Sequence, residues 1–180
     1  MIYSPLEDSY MLSEVVKEFL KEKNKKIKIL DMGSGSGIQA QACIKLGFKN
    51  VLCADMDKEV INHLKLRNFN TLQTDLFSNI NKLEKFDLII FNPPYLPEDK
   101  LEPQDSRNAT TGGKKGYEII IKFLVQAKSH LNKNGSILLL FSSFSNPKII
   151  LKKAKELDYS ANLLSSKKLF FEELFVYEIK

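Results

Sequence analysis

Residues Ile27-Lys28-Ile29-Leu30-Asp31-Met32-Gly33-Ser34-Gly35-Ser36-Gly37 run from a short apolar stretch into a turn with three glycines, and a helical pattern over Ile38 to Leu46 follows. An apolar run of this length ending in glycine reads as a buried strand, so the unit is strand, glycine turn, helix. Glycines let the backbone turn sharply and approach a ligand, and the helix amino terminus adds unpaired N–H groups. The same alternation continues outward. Val51 to Asp55 is a second strand, ending in Asp55-Met56-Asp57, with a helix over Lys58 to Asn68. Phe69 to Gln73 is a weak third strand leading to Asp75-Leu76, and Asp87 to Phe91 is a fourth. Gly116 to His130 reads as a helix, Ser136 to Ser142 as a fifth strand and Lys148 to Leu157 as a helix. On the amino-terminal side, Ser9 to Lys23 places Met11, Leu12, Val15, Val16, Phe19 and Leu20 on one face, the spacing of an amphipathic helix. Strands alternating with helices predict a parallel sheet covered on both faces. The ending differs: Ala161 to Ser165 and Leu169 to Ile179 are joined by only Ser166-Lys167-Lys168, too short for a helical crossover, which predicts an antiparallel hairpin.

The 180 residues fit one domain, 1–180, with a short amino-terminal helical segment over about 1–25. A net charge of +5 comes almost wholly from lysines spread over several segments, while Arg67 and Arg107 are the two arginines; this distribution suits solvated helix faces more than a nucleic-acid stripe. Cys43 and Cys53 have no paired-cysteine or Cys/His spacing, so they read as buried thiols and no metal site is expected. His63 and His130 lie in helical patterns away from the motifs and read as structural or surface residues. With no signal-peptide core and no membrane-length apolar run, a soluble cytoplasmic protein is expected.

The fourth strand ends abruptly in Asn92-Pro93-Pro94-Tyr95. Two prolines fix their own φ angles, remove two backbone donors and restrict the residue before each, so the Asn92 side chain and the Pro93 carbonyl become acceptors on a stiff scaffold. Tyr95 adds a flat face against which a planar group can stack. Two fixed acceptors and a ring suit a planar –NH2 group, a carboxamide or the exocyclic amine of a base. The lone pair of such a nitrogen is delocalised, and acceptors on its N–H bonds return electron density while holding the attack geometry toward an electrophilic methyl group. Beyond this corner, Leu96 to Lys115 is the longest irregular segment, with Gly112, Gly113 and Gly116 permitting hinging. Its charges are mixed, Glu98, Asp99, Glu102 and Asp105 opposing Lys100, Arg107, Lys114 and Lys115, whereas a surface that tracks phosphates should be strongly basic.

The spacing Asp-x-Gly-x-Gly-x-Gly, with Asp31 at the strand end, resembles the S-adenosylmethionine methyltransferases rather than the dinucleotide-binding GxGxxG pattern. The resemblance implies an α/β class I S-adenosylmethionine methyltransferase (Rossmann-like) fold, a seven-stranded mostly parallel sheet with an antiparallel carboxyl-terminal hairpin and helices on both faces. It implies S-adenosyl-L-methionine as cofactor, with Asp31 and the Gly33, Gly35 and Gly37 turn at its methionine end, Asp55 at the ribose hydroxyls, and Asp75 with the Leu76 backbone bordering adenine. Taken alone, Asp57 and Asp75 also read as helix N-caps. More narrowly, Ser4-Pro5-Leu6-Glu7-Asp8-Ser9, the Asn92-Pro93-Pro94-Tyr95 corner, and Gly112-Gly113 with Gly116 opening a helix resemble the HemK family of protein-glutamine methyltransferases over essentially the whole chain. The short form is similar to the archaeal and eukaryotic branch, which modifies the Gly-Gly-Gln glutamine of class I release factors and usually works with a small zinc-binding activator subunit. The resemblance gives Asn92, Pro93 and Tyr95 catalytic roles and places Ser9 and Asn92 at the cofactor; Ser9 also reads as the N-cap of the first helix. The usual order of the fold makes the third strand outermost, so the activator is expected to add a strand near Phe69 to Gln73. The same corner serves enzymes that methylate exocyclic amines, so an RNA or DNA amino-methyltransferase acting on N6 of adenine or N2 of guanine is the alternative.

Overall fold

Seven strands form one sheet in the order β3-β2-β1-β4-β5-β7-β6 in a computed structural model that describes residues 5–99 and 110–180. In chain order the elements are α1 (Glu7–Leu20), β1 (Ile29–Met32), α2 (Ile38–Lys45), β2 (Val51–Asp55), α3 (Lys58–Leu66), β3 (Thr71–Gln73), β4 (Phe86–Phe91), α4 (Glu118–His130), β5 (Leu131–Ser142), α5 (Pro147–Glu156), β6 (Ala161–Lys168) and β7 (Glu173–Ile179). Strands β1 to β5 pair in parallel, and β7 pairs antiparallel with both β5 and β6. This is the doubly covered sheet with a terminal hairpin that the alternation predicts, and β3 is at its edge. The expectations that rest on Ser4, Lys100, Glu102, Asp105 and Arg107 lie outside the described residues.

Alternation along the central strands splits the core in two. Leu30, Met32, Ile89, Phe91, Ile137 and Leu139 pack under α4 and α5, with the Phe91 and Phe123 rings 4.5 Å apart. Ile29, Leu88, Ile90, Leu138 and Leu140 face the other way, against Leu12, Val16 and Leu20 of α1, Ala40 and Cys43 of α2, and Val60 and Leu64 of α3. Successive side chains of a strand point to opposite faces, so strands apolar at every position must be covered on both. Both cysteines are buried here as free thiols, which burial pushes well above the usual thiol range. His130 is buried, its Nδ1 lying 2.8 Å from the Glu84 carbonyl and its ring stacked on Phe77, as a structural residue should be. Among the described residues no helix is long and apolar enough to cross a membrane, and no group of side chains could hold a metal ion.

Several boundaries differ from the sequence reading. The third strand starts at Thr71 rather than Phe69, because Phe69 belongs to the end of α3: its N–H donates to Leu64 O, Asn68 N–H donates to Lys65 O, and Asn68 adopts a left-handed φ of 60°. That is a Schellman cap, and it takes the Phe69 amide out of the ladder. The hairpin turn is not Ser166-Lys167-Lys168. Pairing continues to Lys168↔Glu173 past a register shift between Leu163 and Ser165, and Leu169–Glu172 makes the turn, closed by Leu169 N–H donating to Glu172 O. Apolar Leu169-Phe170-Phe171 imitates a strand start, yet Phe170 and Phe171 are almost wholly exposed at the tip. Strand β5 begins at Leu131, which pairs with Phe86 across an irregularity in the ladder. Helix α1 begins at Glu7, so Ser9 lies inside its first turn and does not cap it.

The described ends of the loop after β4 are stitched together. Leu96 N–H donates to Thr110 O, Gly112 N–H to Leu96 O and Glu98 N–H to Gly113 O. Gly112 serves close approach here rather than hinging: a Cβ on it would stand 2.5 Å from the Gly116 carbonyl oxygen and 2.6 Å from that of Pro94. Both obstacles are backbone and cannot swing aside. Gly112→Ala should therefore destabilise the protein by about 1–3 kcal/mol, the usual cost of overpacking a tight contact. Chemical denaturation checks this, and an unchanged midpoint would show that the corner yields.

Candidate active site

A cavity of about 830 Å³ opens at the carboxyl ends of β1, β2 and β4, within the roughly 300–1,000 Å³ usual for ligand clefts. Parallel strands all end on that side, so each strand-to-helix turn contributes side chains to the same place. Strand β1 brings Asp31 and the Gly33–Ser36 turn, β2 brings Asp55, the turn after β3 brings Asp75 and Leu76, and β4 ends in Asn92, Pro93, Pro94 and Tyr95. Every site residue read from the sequence lines this cavity except Gly37, which is the N-cap residue of α2 at its edge.

Asn92 is held from one side. Its Nδ2 donates to Asp8 Oδ2 (3.0 Å) and reaches Ser9 Oγ at 3.4 Å, while Tyr95 Oη donates to the same Asp8 oxygen at 3.4 Å. A carboxylate only accepts, so the nitrogen end of the amide must face Asp8 and the oxygen end must face away. Asn92 Oδ1 is buried with no hydrogen-bond partner among the described residues. Such an atom is unfavourable unless a ligand supplies a donor. Ser145 Oγ donates to the Tyr95 carbonyl (3.0 Å), which fixes the far end of the corner.

Asp31 is buried at the foot of the glycine turn, where its Oδ2 accepts the Ala40 N–H in the first turn of α2 (3.1 Å). A left-handed φ of 61° at Gly33 bends the chain away from β1, and a Cβ there would press on the Phe91 ring at 3.2 Å. Asp55 accepts the Gly35 N–H on Oδ2 (3.0 Å) and the Asp57 N–H on Oδ1 (2.9 Å), leaving a further lone pair on each oxygen for a diol. Asp57 is the N-cap of α3, accepting from Glu59 N–H (2.8 Å). Asp75 caps no helix by its side chain; it pairs with Lys122 Nζ (2.8 Å) on the rim, and the neighbouring Thr74 hydroxyl accepts the Asn79 N–H instead. Leu76, with a φ of 47°, is a bulky residue in a strained conformation, and its carbonyl accepts the Thr74 hydroxyl (2.9 Å).

Several polar lining residues are not singled out by the sequence, among them Asp8, Gln39 and Glu172. Asp8 stands in the quoted amino-terminal motif, but nothing local distinguishes it from a solvated first-turn acid. Gln39 donates from Nε2 to Ser9 O (2.9 Å), and its buried Oε1 has no partner among the described residues. A glutamine directly before the fully buried Ala40 is the available signal. Glu172 lines the cavity from the hairpin turn, which the sequence reading placed elsewhere.

Burial pushes the Asp31 carboxyl up to about 8; the Ala40 N–H lowers it and the nearby Asp55 charge raises it again. Asp55 is raised too, chiefly by burial. The folded protein thus holds on Asp31 a proton that the unfolded chain releases above its ordinary value near 3.8. The sign follows: this contribution to stability is complete below about pH 4 and is lost as pH rises through about 8. In Asp31→Asn the amide oxygen can still accept from Ala40 without a charge, so the fall in melting temperature of the cofactor-free protein from about pH 5 to about pH 9 should flatten. Equal slopes in the two proteins would refute it.

Residues 11–162 match the family described as the methyltransferase small domain. A protein of Methanocaldococcus jannaschii named as a protein N5-glutamine methyltransferase is 36% identical over 183 aligned positions, covering 97% of this chain and 89% of its own. Human methyltransferase HEMK2 is 28% identical, covering 84% of this chain and 76% of its own. Among solved structures, the E. cuniculi Mtq2–Trm112 complex, described as responsible for methylating the translation termination factor eRF1, superposes with a TM-score of 0.80 at 26% identity. That match covers 99% of this chain and 97% of the other.

Proposed function

Because the chain belongs to the methyltransferase small domain family, and within it to the HemK-type protein-glutamine methyltransferases, we propose that it methylates the side-chain amide of the glutamine in the Gly-Gly-Gln motif of a class I release factor. It is an S-adenosylmethionine-dependent N-methyltransferase, and residues 11–162 carry the match to the family's catalytic domain. The observation that carries the substrate class is Asn92 Oδ1, a buried acceptor without a partner among the described residues, aimed by Asp8. This oxygen takes one N–H of the carboxamide and the Pro93 carbonyl takes the other, while Tyr95 lies against the amide plane. Both bonds raise electron density on a weakly nucleophilic nitrogen and hold it in line for attack. Bound S-adenosyl-L-methionine would supply the electrophilic methyl group, its sulfur leaving as the neutral thioether while the amide nitrogen gives up one proton to water. Its methionine end would be held by Asp31, Ser9 and the Gly33–Gly37 turn, its ribose by Asp55 and its adenine by Asp75 and Leu76.

A peptide fits this cavity better than a nucleic acid does. Of the described lining residues seven are carboxylic acids (Asp8, Asp31, Asp55, Asp57, Glu59, Asp75 and Glu172) and two are lysines (Lys58 and Lys122), and even with Asp31 held protonated by burial this balance disfavours a phosphate backbone. The deciding assay offers labelled cofactor to purified release factor and to total RNA side by side. Labelling should depend on the Gly-Gly-Gln glutamine, RNA should stay nearly unlabelled, and Asn92→Ala should bind cofactor yet lose on the order of a hundredfold in turnover. Faster labelling of RNA, or labelling that survives replacement of that glutamine by alanine, would favour the amino-methyltransferase reading instead.

The E. cuniculi relative is described as a complex with Trm112, and in this reading the present chain likewise works with a partner, a small zinc-binding activator that adds a strand to β3. Strand β3 has three residues and lies at the sheet edge. A bare edge is a ready template for strand addition. A release-factor substrate places the enzyme in the cytoplasm. Addition of the activator should slow hydrogen exchange over Thr71–Gln73, and exchange unchanged there would exclude this mode of assembly.

A further inference from the structure

Three cavity-lining side chains present a buried acceptor with no partner among the described residues: Gln39 Oε1, Asn92 Oδ1 and Glu172 Oε2. Asn92 Oδ1 takes the carboxamide of the substrate, whereas Glu172 contributes to the glutamine reading only through its charge. A carboxylate oxygen that is closed off from water and receives no N–H is unfavourable, so its donor is expected to arrive with a ligand.

The backbone fixes where that oxygen can act. Leu169 N–H donates to Glu172 O, closing the hairpin turn, and the next amide, Glu173 N–H, donates to Ser143 Oγ (3.0 Å). Ser143 opens the short 3-10 turn Ser143–Ser145 after β5, whose last residue donates from Oγ to the Tyr95 carbonyl (3.0 Å). On its other side the hairpin is tied to α1 by the ion pair of Lys167 with Glu7, the neighbour of Asp8. Glu172 is therefore tethered to the Tyr95 and Asp8 side of the cavity, where the acceptor nitrogen is held, and not to the glycine turn. At the same tip Phe170 is 100% and Phe171 87% exposed, their ring centroids 6.1 Å apart. Two bare aromatic rings beside a catalytic cavity form an apolar wall for a partner.

We propose that Glu172 is a substrate-binding residue whose Oε2 accepts a main-chain N–H of the peptide carrying the methylated glutamine, with Phe170 and Phe171 as the wall on which that peptide docks. This rests on the glutamine reading and deepens it. Glycines beside the target leave their N–H groups unshielded by side chains, and such donors distinguish a peptide from a phosphate backbone, which offers only acceptors there.

The test compares Glu172→Ala, Glu172→Gln and the pair Phe170→Ser with Phe171→Ser in methyl transfer to purified release factor with the activator subunit present, and cofactor affinity and melting temperature are measured on each. Glu172→Ala should raise KM for the release factor about tenfold or more, the scale of one lost hydrogen bond to a charged acceptor. Glu172→Gln, which keeps an acceptor oxygen, should recover part of that loss, and the double variant should also raise KM. Cofactor affinity should not move. Melting temperature should hold or rise, because an unpartnered buried carboxylate has been removed. A wild-type protein inactive on the release factor would sink the glutamine reading and this proposal together. An active wild type with release-factor KM unmoved in Glu172→Ala, or with cofactor affinity and stability falling alongside it, would overturn this proposal alone.

Discussion

The carboxylate of Asp8 decides which way the Asn92 amide faces, and the chemistry of the cavity depends on that orientation. An amide presents a donor end and an acceptor end of nearly equal shape, so packing alone cannot choose between them. Asp8 can only accept, and it takes both Asn92 Nδ2 and the Tyr95 hydroxyl on one oxygen. A hydrogen bond to a charged group contributes about 1.5–3 kcal/mol, whereas leaving a buried oxygen without a donor costs about 1–3 kcal/mol. The two are comparable, so the cofactor-free site can keep Oδ1 unpartnered without the amide turning over. Position matters as much as charge. Asp8 is in place because Leu12, Val16 and Leu20 seat α1 on the sheet, and because Gln39 of α2 donates to Ser9 O in the same helical turn.

The acids at the strand ends follow a related logic. Asp31 and Asp55 are both raised by burial, and each already accepts backbone N–H groups from the turn beside it. A buried carboxyl that sits above its ordinary range gains most from a cation, since ionisation then coincides with pairing. The sulfonium cofactor also carries an ammonium group, so the desolvation that disfavours charge in the empty cavity favours a positively charged ligand over a neutral one. The strained φ of Leu76 and the close approach of Gly33 to Phe91 show the backbone drawn tightly around that volume.

Much of this was legible in the sequence because it is written in local pattern. Buried strands appear as apolar runs, the glycine turn as a spacing, and the Asn92-Pro93-Pro94-Tyr95 corner as four consecutive residues, so the parallel sheet and most residues that line the cavity are readable, while the edge position of β3 follows from the strand order of the family the sequence resembles. What escaped depends on contacts between distant segments. Asp8 gains its role from a partner 84 positions away, and Gln39 from one 30 positions away. The hairpin turn was misplaced because Leu169-Phe170-Phe171 has strand composition, while the actual pairing of lysine-bearing β6 carries little apolar signal. Phe69 was assigned to a strand for the same reason, since nothing in its residue type announces that its amide closes the cap of α3.

The strand order explains why the hairpin could matter to the reaction. Strands β1 to β5 are parallel, so every turn at their carboxyl ends leads into a helix or an irregular loop. Inserting β7 between β5 and β6 reverses direction twice, and the pairings Ser142↔Leu174 and Lys168↔Glu173 bring the start of β7 and the end of β6 to the same edge as the end of β5. The turn Leu169–Glu172 must then project over the catalytic edge. A two-stranded arm held by ladder hydrogen bonds positions its tip more firmly than a crossover loop does. The cavity is thus bounded on one side by strand-to-helix turns with glycine and acids, suited to a small charged molecule. On the other it is bounded by α1 and a rigid hairpin bearing exposed aromatic rings, suited to a macromolecule that must be gripped while one side chain enters.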